Sequence, residues 1–230
     1  MTRRILVCFA VKEEARPFLK RIGQRANLTT IVTGIGPRNA EKVLGGALLQ
    51  GRPDLVITSG FAGALDPELK LGDIVFETDE TVPCSAALLS TGARSIKFHC
   101  ADTVAATTLA KRQLWKSTQC QAVEMESVII RRLCREQCIP SATIRVISDT
   151  AHEDLPLDFN QLMTAGDRID SLKLARALLQ RPGKIIQLIR FQRRIQRAAE
   201  TLGRILEKVV LQTKNLPKQD SASRMSSKEL

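Results

Sequence analysis

The stretch that decides the fold is QCQAVEMESVIIRRLCREQCIPSATIRVISDT, residues 119–150. It predicts a strand that ends in Glu124-Met125-Glu126, a helix that Pro140 stops, and a β-branched strand that ends in Ser148-Asp149. A strand–helix–strand unit of this length favours parallel strands joined by a right-handed crossover. Because the carboxyl ends of parallel strands meet at one edge of a sheet, we expect Glu126 and Asp149 to face one crevice.

Further strands and helices are predicted on both sides of this stretch. We expect a helix with Asp102 as its N-cap to run to about Lys116, and the short segment 78–94 to form a loop. The other predicted strands are 4–11, 29–33, 54–58, 71–76 and 96–100, and the other predicted helices begin at Lys12 and Pro37 and span about 159–179 and 184–212. This alternation predicts an α/β fold with a mostly parallel twisted central sheet and flanking helices.

The length of the chain and the distribution of its charge predict one large domain followed by a basic terminal segment. At 230 residues it can bury one large core, so we expect an α/β domain over 1–180, a basic amphipathic helix over 181–212 and a disordered polar tail over 213–230. Residues 181–230 carry 12 Lys and Arg against 4 Asp and Glu, whereas residues 1–180 carry 23 against 20. The basic character belongs to the terminal segment, and with one Trp and no Tyr we expect no nucleic-acid partner.

The remaining composition predicts an ordinary intracellular protein. There is no signal-peptide pattern and no apolar run of 18 residues, so we expect a cytoplasmic location. The six cysteines lack the spacing of a zinc or disulfide framework, and the chain has only two histidines. We therefore expect reduced thiols, no bound metal and no cofactor.

Four further features stand in order along the chain. They are the blocks Ala10 to Glu14, Thr33 to Gly36, Ile57 to Gly63 with Leu71 to Val75, and Val123 to Glu126 with Val146 to Asp149. In this order the blocks resemble the nucleoside phosphorylase/nucleosidase superfamily, and its methylthioadenosine/S-adenosylhomocysteine nucleosidases in particular. The resemblance implies a three-layer nucleoside phosphorylase-like fold and cleavage of the N-glycosidic bond of a purine nucleoside, with adenine as the base.

The resemblance also implies a role for each matching residue. Asp149 is expected to be the general acid that protonates the purine at N7, with Ser148 orienting it. Glu14 is expected to activate the attacking water, and Glu126 to bind the ribose hydroxyls beside Met125. The other expected substrate contacts are Gly36, Gly60, Phe61, Ala62 and Glu124.

These acids also have ordinary structural interpretations. Glu13, Glu14 and Glu126 suit the first turn of a helix, and Asp149 suits an N-cap. Bond cleavage nevertheless needs the three groups that the resemblance implies. An acid stabilises the departing base, a carboxylate holds two sugar hydroxyls, and a base activates water on the opposite face.

Departures from the family pattern leave the nucleophile and the activity open. Phe61 stands where the family often has serine, and the segment between Val75 and Cys100 is shorter than in the familiar nucleosidases. Glu13 and Glu14 would repel phosphate, which favours hydrolysis, with phosphate as the alternative co-substrate. A pocket closed by Phe61 would instead predict a non-catalytic member that binds a nucleoside or a membrane surface.

The terminal helix has more than one interpretation. A compact body with a basic amphipathic helix resembles the hopanoid-associated phosphorylases, which implies a lipid-linked, adenosyl-hopane type substrate. Contact between residues 184–212 and an anionic membrane would follow, and removal of the helix would then spare the fold. Alternatively, the apolar stripe packs on the body or on a second subunit. The family resemblance implies a homodimer.

Overall fold

A central eight-stranded sheet organises the computed structural model, which describes residues 3–78, 82–162 and 183–214. Its strands are β1 (Ile5–Phe9), β2 (Leu28–Val32), β3 (Leu55–Ala64), β4 (Ile74–Thr78), β5 (Arg94–Ser95), β6 (Phe98–Cys100), β7 (Ala122–Glu124) and β8 (Ser141–Asp149). The order is β2-β1-β3-β8-β4-β5, and β7 pairs with the end of β3 and with β6. Strands β2, β1, β3 and β8 run parallel, which confirms the mostly parallel sheet.

The strands of the 119–150 unit are not a parallel pair, so that prediction is wrong. Strand β7 runs antiparallel to β3, with Val123 opposite Gly63, whereas β8 runs parallel to β3 along most of its length. Strand β7 has three residues, and its hydrogen bonds are made to β6 and to the last residues of the ten-residue β3. These neighbours set its direction, and the connecting helix does not. Because β7 runs back along β3, Glu126 still reaches the carboxyl edge of the parallel strands.

Helices cover both faces of the sheet in three layers. They are α1 (Lys12–Ile22), α2 (Pro37–Gln50), α3 (Ser85–Ser90), α4 (Thr108–Thr118), α5 (Ser127–Glu136), α6 (Phe159–Leu162) and α7 (Lys184–Lys214). The alternation of β1 shows how the layers form: Val7 and Phe9 pack with α1, α3 and α7, whereas Leu6 and Cys8 pack with α2 and α5. Both faces of the central strands are therefore buried, as parallel sheets require.

Three local predictions need correction or completion. The segment 78–94 is not simply a loop, because it contains α3 and β5. Asp102 is not an N-cap, since α4 begins later and its cap is Thr107, whose side-chain oxygen accepts a hydrogen bond from the Ala110 N–H. The helix predicted over 159–179 begins as α6, and the rest of it lies outside the described residues.

Helix α7 is part of the main core. Its apolar side chains from residue 198 onward pack with α1 and the sheet, including Phe18 and Phe9, whose rings lie 5.9 Å apart. The predicted tail begins inside this helix, because Thr213 is buried within it; residues 215–230 lie outside the described part of the chain. The buried residues of α7 are Ala198, Ala199, Leu202, Gly203, Ile205, Leu206, Val209, Val210 and Thr213.

Candidate active site

A cavity of about 310 Å³ opens at the carboxyl edge of β1, β3 and β8. It brings together the three acids singled out from the sequence, Glu14, Glu126 and Asp149, although they lie on three different elements. All three are at least 90% buried. Five more of the predicted site residues line the same cavity: Phe61, Ala62, Glu124, Met125 and Ser148.

Glu14 is held by backbone N–H groups from two elements. One carboxylate oxygen accepts from Ala10 and Val11 at 3.0 and 3.2 Å, and the other accepts from Phe61 at 2.9 Å. As the third residue of α1, Glu14 accepts hydrogen bonds from N–H groups at the start of its own helix. It therefore stabilises the first turn of α1 and lines the cavity at the same time. Burial raises the pKa of Glu14 above its ordinary value, although these hydrogen bonds and Arg145 oppose the shift.

Gly60 does not line the cavity but makes room for Glu14. A Cβ atom at this position would lie 2.6 Å from Glu14 Oε1, closer than such atoms pack. The glycine thus lets a carboxylate lie directly against strand β3. Its predicted role as a substrate contact stays a prediction, while the structure gives it this supporting contact.

Glu126 lies at the start of α5, with Gly36 as its partner. Gly36 adopts a φ of 85° at the N-cap of α2, and its N–H donates to Glu126 Oε1 at 3.0 Å. Gly36 is not among the lining residues and acts on the site through this hydrogen bond. Burial, followed by the charge of Glu124, raises the pKa of Glu126 to about 7.

Glu124 is engaged by the protein. Its carboxylate accepts hydrogen bonds from the N–H groups of Glu126 and Ser127 and from the Ser127 hydroxyl. The Arg145 guanidinium contacts Glu124 Oε2 at 2.6 Å and Glu126 Oε2 at 3.9 Å. Arg145 and Ser127 outweigh the effect of burial and lower the pKa of Glu124. Glu124 therefore anchors Arg145, and its oxygens are occupied before any substrate enters.

Sequence reasoning missed Arg145, although a signal was present. The strand Ser141–Asp149 is otherwise uncharged up to its final residue, and a charged side chain inside such a strand needs a buried partner. Arg145 is 1% exposed and also donates to the Thr58 hydroxyl at 3.1 Å. It supplies the positive charge that allows three buried glutamates to lie around one cavity.

Asp149 ends β8 and is held on both oxygens. The Ser148 hydroxyl donates to Oδ1 at 2.6 Å, and the Lys111 ammonium contacts Oδ2 at 2.6 Å. The side chain of Lys111 is fully buried. Lys111 was also missed, since a lysine followed by Arg112 and Gln113 on a helix gives no sign that it points inward.

The wall of the cavity facing α7 is apolar. Phe159 and Phe191 lie with ring centroids 6.0 Å apart, and Ile195 and Leu155 complete this side. Phe61 lines the cavity without closing it. The aromatic residues were missed because they come from α6 and α7, far along the chain from the strand ends.

Within residues 3–78, 82–162 and 183–214, no cluster of three or more His, Cys, Asp and Glu side chains could hold a metal ion. Over the same residues, no helix combines the length and apolar character needed to cross a bilayer.

Comparison with known proteins gives consistent matches. The family model of the phosphorylase superfamily matches residues 12–90 and 93–180. The chain is 28% identical over 172 residues to the 5′-methylthioadenosine/S-adenosylhomocysteine nucleosidase of Anoxybacillus flavithermus, covering 60% of this chain and 74% of that protein.

Solved structures share the fold at lower identity. The corresponding nucleosidase of Colwellia psychrerythraea, solved with adenine, has a TM-score of 0.69 at 17% identity and covers 95% of this chain and 99% of that one. The futalosine hydrolase of Helicobacter pylori has a TM-score of 0.67 at 16% identity and covers 91% and 98%.

Proposed function

The chain belongs to the phosphorylase superfamily, and on that premise we propose that it is a nucleosidase that hydrolyses the N-glycosidic bond of an adenine nucleoside. The observation that carries the proposal is the meeting of Glu14, Glu126 and Asp149 in one buried cavity. Adenine as the base is supported by the Anoxybacillus relative, a nucleosidase of adenine nucleosides, and by the adenine in the Colwellia structure.

The reaction assigns one task to each acid. As the bond from the sugar carbon to the base breaks, its electron pair goes to the base, and Asp149 passes a proton to N7. Water then adds to the sugar carbon and gives a proton to Glu14. The products are the free base and the free sugar. Ser148, which donates to Asp149 Oδ1, keeps that carboxyl oriented.

Glu126 is suited to hold the ribose. An ionised carboxylate can accept hydrogen bonds from two neighbouring hydroxyls, whereas a protonated carboxyl accepts less well. Because the pKa of Glu126 is raised to about 7, we expect kcat/KM to rise as the pH increases through about 7. Glu126→Gln should lower kcat/KM and remove this acid limb, which pH–rate profiles of both proteins would measure. An unchanged limb in the variant would assign the titration to another group.

The same shift has a consequence for stability. In the unfolded chain Glu126 ionises near its ordinary value of 4.5, whereas in the folded protein it keeps its proton to about pH 7. Between these values the folded state binds more protons, so this group's contribution to stability decreases as the pH rises through the window.

Water is favoured over phosphate as the nucleophile because of the charges around the cavity. Glu14, Glu124 and Glu126 line it; Glu124, whose pKa is lowered, would repel a phosphate dianion, and Glu14 and Glu126 would add to this repulsion wherever they are ionised. Arg145, the cation within this group, is already paired with Glu124 at 2.6 Å.

The test is product analysis with adenosine, methylthioadenosine and S-adenosylhomocysteine, with and without phosphate. We expect free adenine and free sugar in both buffers; a sugar 1-phosphate would show phosphorolysis instead. Asp149→Asn should lower kcat by about 10² to 10⁴-fold. Glu14→Gln should also be strongly impaired, while Glu13→Gln, the exposed neighbour on the same turn, is the matched control. Absence of free base from every nucleoside, with binding retained, would instead support the non-catalytic alternative.

A second candidate substrate is a lipid-linked adenine nucleoside of the adenosyl-hopane type. The feature that favours it is the course of α7: Phe191 and Ile195 line the cavity, and Ile185, Ile186 and Ile189 on the same helix are exposed. An apolar substituent could leave the cavity along this side, close to a membrane surface.

Liposome sedimentation tests this candidate. Replacing Ile185, Ile186 and Ile189 by serine should reduce sedimentation with anionic vesicles and activity on a lipid-linked nucleoside, while activity on methylthioadenosine is kept. The matched control replaces three exposed leucines elsewhere, Leu49, Leu89 and Leu109. Equal sedimentation of both triple variants and the wild type would rule the membrane contact out.

A further inference from the structure

A buried lysine contacts the acid that handles the base. Lys111 lies on α4, its side chain is fully buried, and its ammonium nitrogen lies 2.6 Å from Asp149 Oδ2. The same nitrogen donates to the carbonyl oxygens of Thr150 at 2.7 Å and Glu153 at 3.0 Å. An ammonium has three N–H donors, so all of them are used and the group is fixed in one position.

The loop after β8 is folded around this ammonium. The Glu153 carboxylate accepts from the Thr150 N–H at 3.0 Å and from Arg194 of α7 at 2.6 Å. The Leu155 N–H donates to the Ala106 carbonyl at 2.8 Å, just before α4. Asp149 is therefore held within a rigid frame that joins β8, α4 and α7.

We propose that Lys111 is a positioning residue for the reaction, one that fixes the orientation and the charge of Asp149; this inference rests on the proposed nucleosidase function. The ammonium contacts one oxygen of Asp149 and so keeps the carboxyl from rotating away from the cavity that it lines. Its positive charge also favours the negatively charged form of the carboxyl that it contacts. Lys111 thereby sets both the direction and the electrostatic surroundings of the carboxyl that passes a proton to the base.

Other charges face the same pair and are held constant in the test. Some of these groups are negatively charged and others positively charged, so they have opposite effects on the Asp149 carboxyl. The effect of Lys111 is therefore isolated by changing Lys111 alone. Among the described residues these groups are Glu14, Glu124, Glu126, Arg145, Glu153 and Arg194.

The experiment compares Lys111→Met and Lys111→Arg with the wild type. Without the ammonium, a buried carboxyl keeps its proton to higher pH, so the alkaline limb of the kcat profile should move up by about one pH unit or more in Lys111→Met. The loss of orientation should lower kcat at neutral pH by about 10- to 100-fold. Lys111→Arg keeps the positive charge and should retain the position of the limb. Lys116→Met, an exposed lysine on the same helix, is the matched control.

Two measurements separate this role from a merely structural one. In an Asp149→Asn background, Lys111→Met should cause no further loss of kcat, because Lys111 acts through Asp149. Direct titration of the Asp149 carboxyl by ¹³C NMR, assigned by its absence in Asp149→Asn, should move to higher pH in Lys111→Met. This second readout does not require activity, so it tests Lys111 even if no nucleoside is cleaved.

The inference is overturned if Lys111→Met keeps the wild-type limb and the wild-type titration of Asp149. A lower yield of folded protein with an unmoved limb would likewise leave Lys111 as a structural residue only. If Lys111→Met does not fold, Lys111→Gln, which keeps a hydrogen-bond donor without the charge, gives the same comparison.

Discussion

The two halves of α7 carry the same amphipathic repeat but have different surroundings. In residues 184–197 the isoleucines Ile185, Ile186 and Ile189 are 42%, 60% and 45% exposed. In residues 198–214 the apolar positions are buried, apart from the partly buried Leu211, and Leu202, Leu206 and Val209 are 0% exposed. The comparison teaches that a helical repeat indicates an apolar face but does not say what covers it.

The difference has a geometric cause. Gly203 lies against the backbone of α1, and a Cβ atom there would be 2.8 Å from the Phe18 nitrogen. This contact lets the second half of α7 pack closely along α1. The first half instead reaches the cavity, where Phe191 and Ile195 form part of the wall. Residues 184–197 of α7 therefore contribute to the wall of the cavity, and residues 198–214 contribute to the hydrophobic core.

Removing α7 is the change for which we expect the largest effect on the fold. A chain that ends at residue 182 loses seven buried apolar side chains. Burial of each of the larger ones, the leucine, isoleucine and valine side chains, stabilises the fold by about 1.5–3 kcal/mol. The total approaches or exceeds the stability of a typical domain, about 5–15 kcal/mol, so we expect loss of the fold. Near-UV circular dichroism measures it, with a chain ending at residue 214 as the control. A folded truncated chain would mean that α7 is only an appendage, as the membrane-anchor interpretation of the sequence expects.

A smaller change compares single positions on the two halves. Leu202→Ala should lower the free energy of unfolding by about 2–5 kcal/mol, because it leaves a cavity beside α1. Ile189→Ala, at an exposed position, should change it by no more than about 0.5 kcal/mol. Urea denaturation of both variants measures the contrast, and equal losses would contradict the division.

The helix contact itself can be tested with glycine. Gly203→Ala should lower the free energy of unfolding by about 1–3 kcal/mol, because the new methyl group meets the backbone of α1. Gly45→Ala on α2 is the matched control: nothing lies within 4 Å of its Cβ position, and alanine there should stabilise by about 0.5–1 kcal/mol. Stabilisation by both variants would show that α1 and α7 are not in close contact.

The smallest expected effect concerns the first half of the helix. Phe191→Ala removes part of the cavity wall and the contact with Phe159, so we expect KM to rise about tenfold with a smaller change in kcat. Steady-state kinetics with methylthioadenosine measures both constants. A fall in kcat at constant KM would place Phe191 closer to the chemistry than to binding.

Most of the sheet could be predicted because buried strands have a plain signature. Strands β1, β3 and β8 each contain an apolar run bounded by turn residues. Two acids of the site lie near strand ends: Asp149 ends β8, and Glu14 follows β1 in the first turn of α1. Arg145 could have been found by the same logic, as a charge in an apolar strand. The direction of β7 could not, because three residues carry too little pattern and their partners come from distant parts of the chain.

The amino-acid pattern alone implies an α/β chain with carboxylates at strand ends, because periodicity and strand-end positions are local properties of a sequence. The folded chain decides which groups those carboxylates meet. Lys111 on Asp149, Arg145 between Glu124 and Glu126, and the aromatic wall from α6 and α7 each join residues far apart in sequence. Such contacts depend on how the layers pack, and burial then converts them into fixed charges and shifted pKa values that the local pattern does not contain.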